Sequence, residues 1–196
     1  MDIEQARYNM VEQQIRPWDV LDQDVLDLLF KVRREDFVPE AHRALAFVDM
    51  EIPLGHGQAM WTPKLEARVI QELAIRPPDR VLEIGTGSGY LAALLASRAA
   101  EVVSVDIVPE FTAAATQKLR AHGFANIGLH SGDAARDWPD EAGFDVIVLT
   151  GSTPLPSDAF RRRLRVGGRL FAIVGEAPVM QAQLITCTAP GATRSV

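Results

Sequence analysis

The sequence predicts an α/β fold: a doubly wound, mostly parallel sheet with helices on both faces. Three observations carry that reading. From Arg80 onward, short apolar and β-branched runs alternate with helically periodic segments, as in consecutive strand–helix units. The first such run, RVLEIG, leads straight into the glycine-rich turn GTGSG and a helical stretch. After Gly175 the texture changes to GEAPVMQAQLITCT, which reads as a turn and an antiparallel return strand.

The elements follow in order. Ile3, Ala6, Met10 and Ile15 recur at roughly helical spacing over 3–15. Val25, Leu28, Leu29 and Val32 share one face of a second helix, which RREDFVPE ends at Pro39. These two helices precede any strand and predict an N-terminal helical cap. Residues 41–63 read as irregular. Pro63 suits the first position of a helix bearing Leu65, Val69 and Leu73 on one side. Then come strand RVLEIG, helix SGYLAALLASRA, strand EVVSVD and helix PEFTAAATQKLRAHG, closed by Gly123. NIGLHSGD is strand-like, FDVIVLTG a buried strand, SDAFRRRLRVGG a helix with its stop, and RLFAIVG another strand. TRSV starts a further strand pattern with nothing after it to close it. At 196 residues the chain is expected to form one domain, 1–196. Residues 1–63 supply helices and a site loop, and 64–196 the ligand-binding core.

Composition limits the function. With 47% hydrophobic and 23% charged residues the chain resembles an ordinary soluble protein. A net charge of −6 without a long basic run argues against nucleic acid as a partner. Arg161, Arg162 and Arg163 read first as a solvated helix face anchored by Phe160 and Leu164, and second as an anion site. Cys187, the sole cysteine, excludes an intramolecular disulfide and a cysteine-based zinc site, and its apolar neighbourhood suggests a buried strand residue. The polar start MDIEQARY is unlike a secretory signal, and no apolar run approaches the ~20 residues that span a bilayer. The expectation is a cytoplasmic protein without a membrane partner, monomeric or weakly homo-oligomeric.

In an open α/β sheet, ligands bind beyond the carboxyl ends of the strands. Three such ends matter. At the first, Gly85, Thr86, Gly87, Ser88 and Gly89 let the backbone approach a ligand. Tyr90 stands where a dinucleotide fingerprint needs glycine or alanine, so a pyrophosphate clamp is disfavoured. The loop resembles motif I of the class I S-adenosylmethionine-dependent methyltransferases, which have a Rossmann-like fold. At the second end, Asp106 lies 19 residues after Gly87, where a carboxylate can accept from both ribose hydroxyls; a helix N-cap or a surface acid is the plainer role. At the third, Asp133 in SGDA can accept from an adenine amino group or simply serve a turn.

Longer stretches narrow the likeness. ARYNMVEQQI, VLDLLFKVRREDFVPE, IPLGHGQAMWTP, VLEIGTGSGY, SGDA, FDVIVLTG and LRVGGRLFAIVG together resemble the protein-L-isoaspartate O-methyltransferases over nearly the whole length. RREDFVPE and IPLGHGQ are its more specific parts. The resemblance implies methyl transfer from S-adenosyl-L-methionine to the α-carboxylate of L-isoaspartyl residues in damaged proteins or peptides, a repair reaction. It implies that Gly85 to Gly89 cradle the cofactor, with Asp106 at the ribose, Asp133 and Ala134 at the adenine, and Ile107 as a further cofactor contact. Glu83 would orient the loop or meet the amino group through water. Gln58, Ala59, Met60 and Trp61 would cover the cofactor and face the substrate.

One position departs from that pattern. The family usually carries a hydroxyl residue at position 61 and threonine at 59. Trp61 offers an indole N–H, a donor only, on a far larger ring. It reads either as a wall or lid of the pocket or as a plug over the loop. Thr62 could supply the hydroxyl if the loop shifts register, and His56, between glycines, is a turn residue or a substrate contact. Two other functions therefore stay open at this level: a methyltransferase with a different, small-molecule acceptor, and an S-adenosylmethionine-binding protein without catalysis.

Overall fold

The computed structural model describes residues 2–134, 143–155, 158–189 and 192–195. Helix α1 (Ile3–Asn9) starts where the Asp2 carboxylate accepts from the Gln5 amide at 3.1 Å. The stretch expected as one helix to Ile15 changes pitch instead. Met10–Ile15 is a π-helical turn and Arg16–Trp18 a 3-10 turn. Pro17 has no amide hydrogen to continue the regular ladder, and the widened turn keeps Met10, Val11 and Ile15 fully buried.

Asp22 caps helix α2 (Gln23–Lys31), accepting from the Asp24 amide at 2.9 Å. This helix ends well before Pro39, contrary to the sequence reading. Val32 is already extended, and Arg34–Asp36 form a 3-10 turn. The turn sends two consecutive side chains to different partners, Arg34 to Glu66 and Glu35 to Arg7. Periodicity cannot reveal such a break, because its cause lies in distant charges.

The segment 41–63 is also more ordered than expected. Strands β1 (Ile52–Gly55) and β2 (Gln58–Met60) form an antiparallel hairpin. It turns through His56 and Gly57, both with positive φ, as a two-residue hairpin loop requires. Strands this short carry too few residues to show alternation. Helix α3 (Pro63–Leu73) begins at the predicted proline.

The main sheet has seven strands: β3 (Arg80–Ile84), β4 (Glu101–Asp106), β5 (Ile127–Ser131), β6 (Phe144–Thr153), β7 (Leu164–Glu176), β8 (Val179–Ala189) and β9 (Ala192–Ser195). Their order is β5-β4-β3-β6-β7-β8-β9. Pairings from β5 to β7 are parallel, and those of β7 with β8 and β8 with β9 antiparallel. The chain winds outward from β3 to β5, then crosses back to place β6 on the other side of β3. That reversal between β3 and β6 opens a crevice at the carboxyl ends. Helices α4 (Tyr90–Ala96), α5 (Pro109–Ala121) and α6 (Asp158–Arg163) make the connections.

One detail differs from the sequence reading. The helix expected over SDAFRRRLRVGG stops at Arg163, and β7 starts at once with Leu164 opposite Phe144. A register shift between Phe144 and Val146 takes up the extra residues before Arg169. At the far edge, the expected return strand β8 is followed by a second antiparallel strand, β9, in line with the strand pattern read there, which pairs Arg194 with Thr186. Cys187 is a buried strand residue, as expected.

Alternate residues of each strand feed opposite faces. Val81, Val102, Val146 and Phe171 join one large core with α2, α3, α4 and the N-terminal turns. Leu82, Val103, Ile147 and Leu170 join a smaller core with Phe160 of α6 and Leu164. The N-terminal helices are therefore part of the main hydrophobic core. Among the described residues, no helix is long and apolar enough to cross a membrane.

Candidate active site

The crevice beside β3 is shaped by glycines that serve different ends. Gly85 has φ 102°, and a Cβ there would collide with the Thr150 hydroxyl. That hydroxyl lies 2.9 Å from both the Ile84 and the Gly85 carbonyl oxygens and shares its proton between them. The Gly87 amide donates to Asp106 at 2.9 Å. The other Asp106 oxygen accepts from the Val108 amide, also at 2.9 Å. Gly89 does something else: a Cβ there would press on Ala115 of α5 at 2.9 Å, so its work is helix packing.

Under the loop, the Ser104 hydroxyl donates to Glu83 and meets the Thr86 hydroxyl at 2.6 Å. Glu83 is completely buried. Burial pushes its carboxyl up to about 8, the Ser104 hydrogen bond opposing and the Asp106 charge adding to the shift. A neutral acid thus braces the loop from below at neutral pH.

These elements border one cavity of about 420 Å³, within the usual range for small-ligand sites. Gly85, Thr86, Gly87 and Ser88 line one side, with Asp106 and Ile107 next to them and Asp133 and Ala134 beyond. Gln58, Ala59, Met60 and Trp61 line the side formed by the hairpin. Four residues singled out from the sequence stand off this wall. Glu83 lies beneath the loop, Gly89 faces α5, and Thr62 caps α3 by accepting from the Leu65 amide at 3.3 Å. His56 sits at the hairpin tip, edge-on to Phe111 with centroids 5.5 Å apart.

Trp61 stands between the core and the cavity. Its ring stands edge-on to Phe171 at 6.0 Å, packed on the main core, and the residue also lines the cavity. Sequence reading missed other lining residues, among them Leu54, Phe111, Thr150 and Phe160. The rule that ligands meet the carboxyl ends of strands would have found Thr150. Nothing local marks Leu54 or Phe160.

Also missed was a buried ion pair. Arg34 and Glu66 have side chains only 1% and 3% exposed, and they pair directly. Arg34 also donates to the Ala46 carbonyl at 3.0 Å and to the Trp61 carbonyl at 2.6 Å. Its guanidinium lies 5.3 Å from the centre of the Tyr90 ring. Burial draws the Arg34 pKa down to about 10, which still leaves it charged at neutral pH.

Comparison with known proteins agrees with this architecture. The family model described as Protein-L-isoaspartate(D-aspartate) O-methyltransferase matches residues 5–192. A protein-L-isoaspartate O-methyltransferase of Gloeobacter violaceus is 40% identical over 182 residues, covering 93% of this chain and 89% of that one. One of Methanoculleus marisnigri is 43% identical over 169 residues, covering 86% and 77%. Among solved structures, a Plasmodium falciparum chain bearing the same enzyme name, in complex with S-adenosyl-L-homocysteine, superposes with a TM-score of 0.81. It is 17% identical, with 100% of this chain and 94% of that chain covered, a likeness of fold. With the family model matched almost end to end, this chain belongs to the protein-L-isoaspartate O-methyltransferase family.

Proposed function

We propose that the protein transfers a methyl group from S-adenosyl-L-methionine to the α-carboxylate of L-isoaspartyl residues in damaged proteins or peptides. The observation that carries this reading is one cavity at the β3/β6 crossover, bounded by the glycine loop, two strand-end aspartates and the hairpin, in a chain of this family.

The residues present fit the cofactor. A Cβ on Gly87 would come within 3.2 Å of Leu54, itself on the cavity wall, so the glycine keeps that space open. Asp106 spends one lone pair of each oxygen on backbone amides, which leaves acceptor sites for the two ribose hydroxyls. Ile107, 70% exposed on the cavity rim, offers an apolar surface for the flat base, with Asp133 and Ala134 at its edge. When bound, the cofactor supplies an electrophilic methyl group on a sulfonium.

The chain's own task is then positional. A substrate carboxylate is ionised at pH 7 and needs no general base. Gln58 to Trp61 and Thr150, in the carboxyl-terminal half of β6, close the remaining sides, holding the acceptor oxygen in line and excluding water. Thr62, as a helix cap, serves through placement of the loop, and His56 through the hairpin tip. The methyl ester formed collapses to a succinimide, which hydrolyses partly to normal aspartate. In this reading the chain works in the cytoplasm as one domain, monomeric or weakly self-associating, without nucleic-acid or membrane partners. The relatives, all named for isoaspartyl transfer, give no support to a small-molecule acceptor or a non-catalytic role.

The test is incubation with methyl-labelled cofactor and an isoaspartyl peptide beside its aspartyl twin. Base-labile label is expected on the isoaspartyl peptide alone. Equal labelling of both peptides, or of neither, overturns the proposal.

A further inference from the structure

The isoaspartyl acceptor is an anion, yet the cavity wall carries a carboxylate of its own. Glu66 lines the cavity together with Trp61 and is almost wholly buried. In so poorly solvated a place, like charges repel far more strongly than in water. Only Arg34 answers that charge among the described groups nearby. Asp49 is matched by Lys64 at 2.6 Å, and Glu35 by Arg7. The Tyr90 phenol under the guanidinium stays protonated, its pKa pushed up to about 12 by burial.

The same guanidinium holds the loop. Its fork reaches Glu66, the Trp61 carbonyl and the Ala46 carbonyl at once, tying together α3, the end of the hairpin and the 3-10 turn Glu40–Leu45, which ends at Ala46. We propose that Arg34 is a positioning residue for the methyl acceptor: it fixes the Trp61 backbone and cancels the Glu66 carboxylate that would otherwise repel an anionic substrate. This inference rests on the isoaspartyl reading of the site.

Three variants test it. Without its cation, a carboxyl as buried as Glu66 is protonated at low pH and ionises as pH rises. In Arg34→Met the KM for the isoaspartyl peptide should therefore climb about tenfold between roughly pH 6 and roughly pH 9. Wild type should show no such rise. Adding Glu66→Gln to Arg34→Met should remove the climb, because no carboxylate is left to ionise. Arg34→Lys keeps the charge but not the fork. At roughly pH 6, where a buried lysine still carries its charge, its KM should match that of wild type while kcat falls several-fold. Affinity for S-adenosyl-L-homocysteine, read by calorimetry, should change less than about twofold in all three.

A merely structural pair would lower stability without making KM depend on pH. A flat KM in folded Arg34→Met, or a climb that survives Glu66→Gln, overturns the charge-balancing role. Should Arg34→Met fail to fold, Arg34→Lys decides: wild-type kcat there removes the loop-fixing role, and a KM that stays flat through roughly pH 10, where a lysine so buried has lost its charge, removes the charge-balancing one. A wild type inactive on the peptide sinks the functional proposal and this inference together; an active wild type with contrary variants sinks this inference alone.

Discussion

The glycine-loop wall and the hairpin wall of the cavity are held by different means. On the first, neighbouring strands β3 and β4 bind each other through short links: the Gly85 amide to the Val105 carbonyl, Thr86 to Ser104, and the Gly87 amide to Asp106. On the second, a small hairpin depends on side chains from distant parts of the chain, above all Arg34 reaching Glu66 and the Trp61 carbonyl. One wall is a property of a strand–turn–helix unit. The other is a property of the tertiary fold. Substitutions on the first should therefore disturb the cofactor, and those on the second the acceptor.

The largest effect is expected from Gly85→Ala. The left-handed backbone costs a non-glycine residue about 1–2 kcal/mol, and its φ here is 102°. The new Cβ would also strike Thr150, and overpacking adds about 1–3 kcal/mol. Denaturant unfolding should show a loss of roughly 3 kcal/mol, with cofactor binding impaired in whatever folds. Adding Thr150→Ala should recover the steric share and leave the backbone share. Full recovery would mean that the φ value carries no strain.

Next is the pH response of Glu83. Its folded pKa, about 8, stands above the ordinary 4.5 because burial disfavours the charged form. Below that ordinary value, native and unfolded chains both hold the proton. As pH rises from about 4.5 to about 8 the unfolded chain has lost the proton and the native chain keeps it, so stability falls through this window. Glu83→Gln removes the slope. Its Tm should match wild type near pH 4.5 and stand clearly above it near pH 9. Parallel Tm curves across that range would show that Glu83 is ionised in the fold.

The same contrast explains what could be read in advance. The alternation after Arg80, the loop Gly85 to Gly89, Asp106 at the end of β4 and Asp133 just past β5 are local patterns; they placed the sheet, and most of these residues line one cavity. Gly89 and Glu83 show the limit even there. A motif names a residue without saying whether it faces ligand, helix or core. The hairpin was read as irregular because its strands are too short for alternation to show. Arg34 and Glu66 lie in stretches that look solvated, RREDFVPE and PKLEAR. Only their pairing across the fold makes their burial tolerable, and no window of sequence contains both.

Asp106→Ala sharpens the cofactor side. Losing charge-assisted hydrogen bonds costs roughly 1.5–3 kcal/mol, so S-adenosyl-L-homocysteine should bind about ten- to a hundredfold more weakly. Part of that loss comes from the Gly87 and Val108 amides, which Asp106 holds in place. Asp106→Asn separates the parts. It keeps an acceptor for one of the two amides and loses the charge, so it should fall between wild type and alanine. Unchanged affinity in a folded Asp106→Ala protein removes the ribose assignment.

The smallest effect on cofactor binding is expected at Trp61, on the opposite wall. Trp61→Ser removes the edge-on contact with Phe171, about 1 kcal/mol on top of the apolar burial lost with the ring. The Arg34 bond to residue 61 should survive, because it uses the backbone carbonyl. Affinity for S-adenosyl-L-homocysteine should therefore change less than about threefold. Methyl transfer to an isoaspartyl peptide should be preserved or raised, since a smaller side chain with a hydroxyl opens the acceptor side and returns a donor–acceptor to it. Wild type and variant belong in one assay, on paired isoaspartyl and aspartyl peptides. If Trp61→Ser abolishes a robust wild-type activity while cofactor affinity holds, the indole itself orients the acceptor, and the hairpin wall contributes a working side chain as well as a fixed backbone.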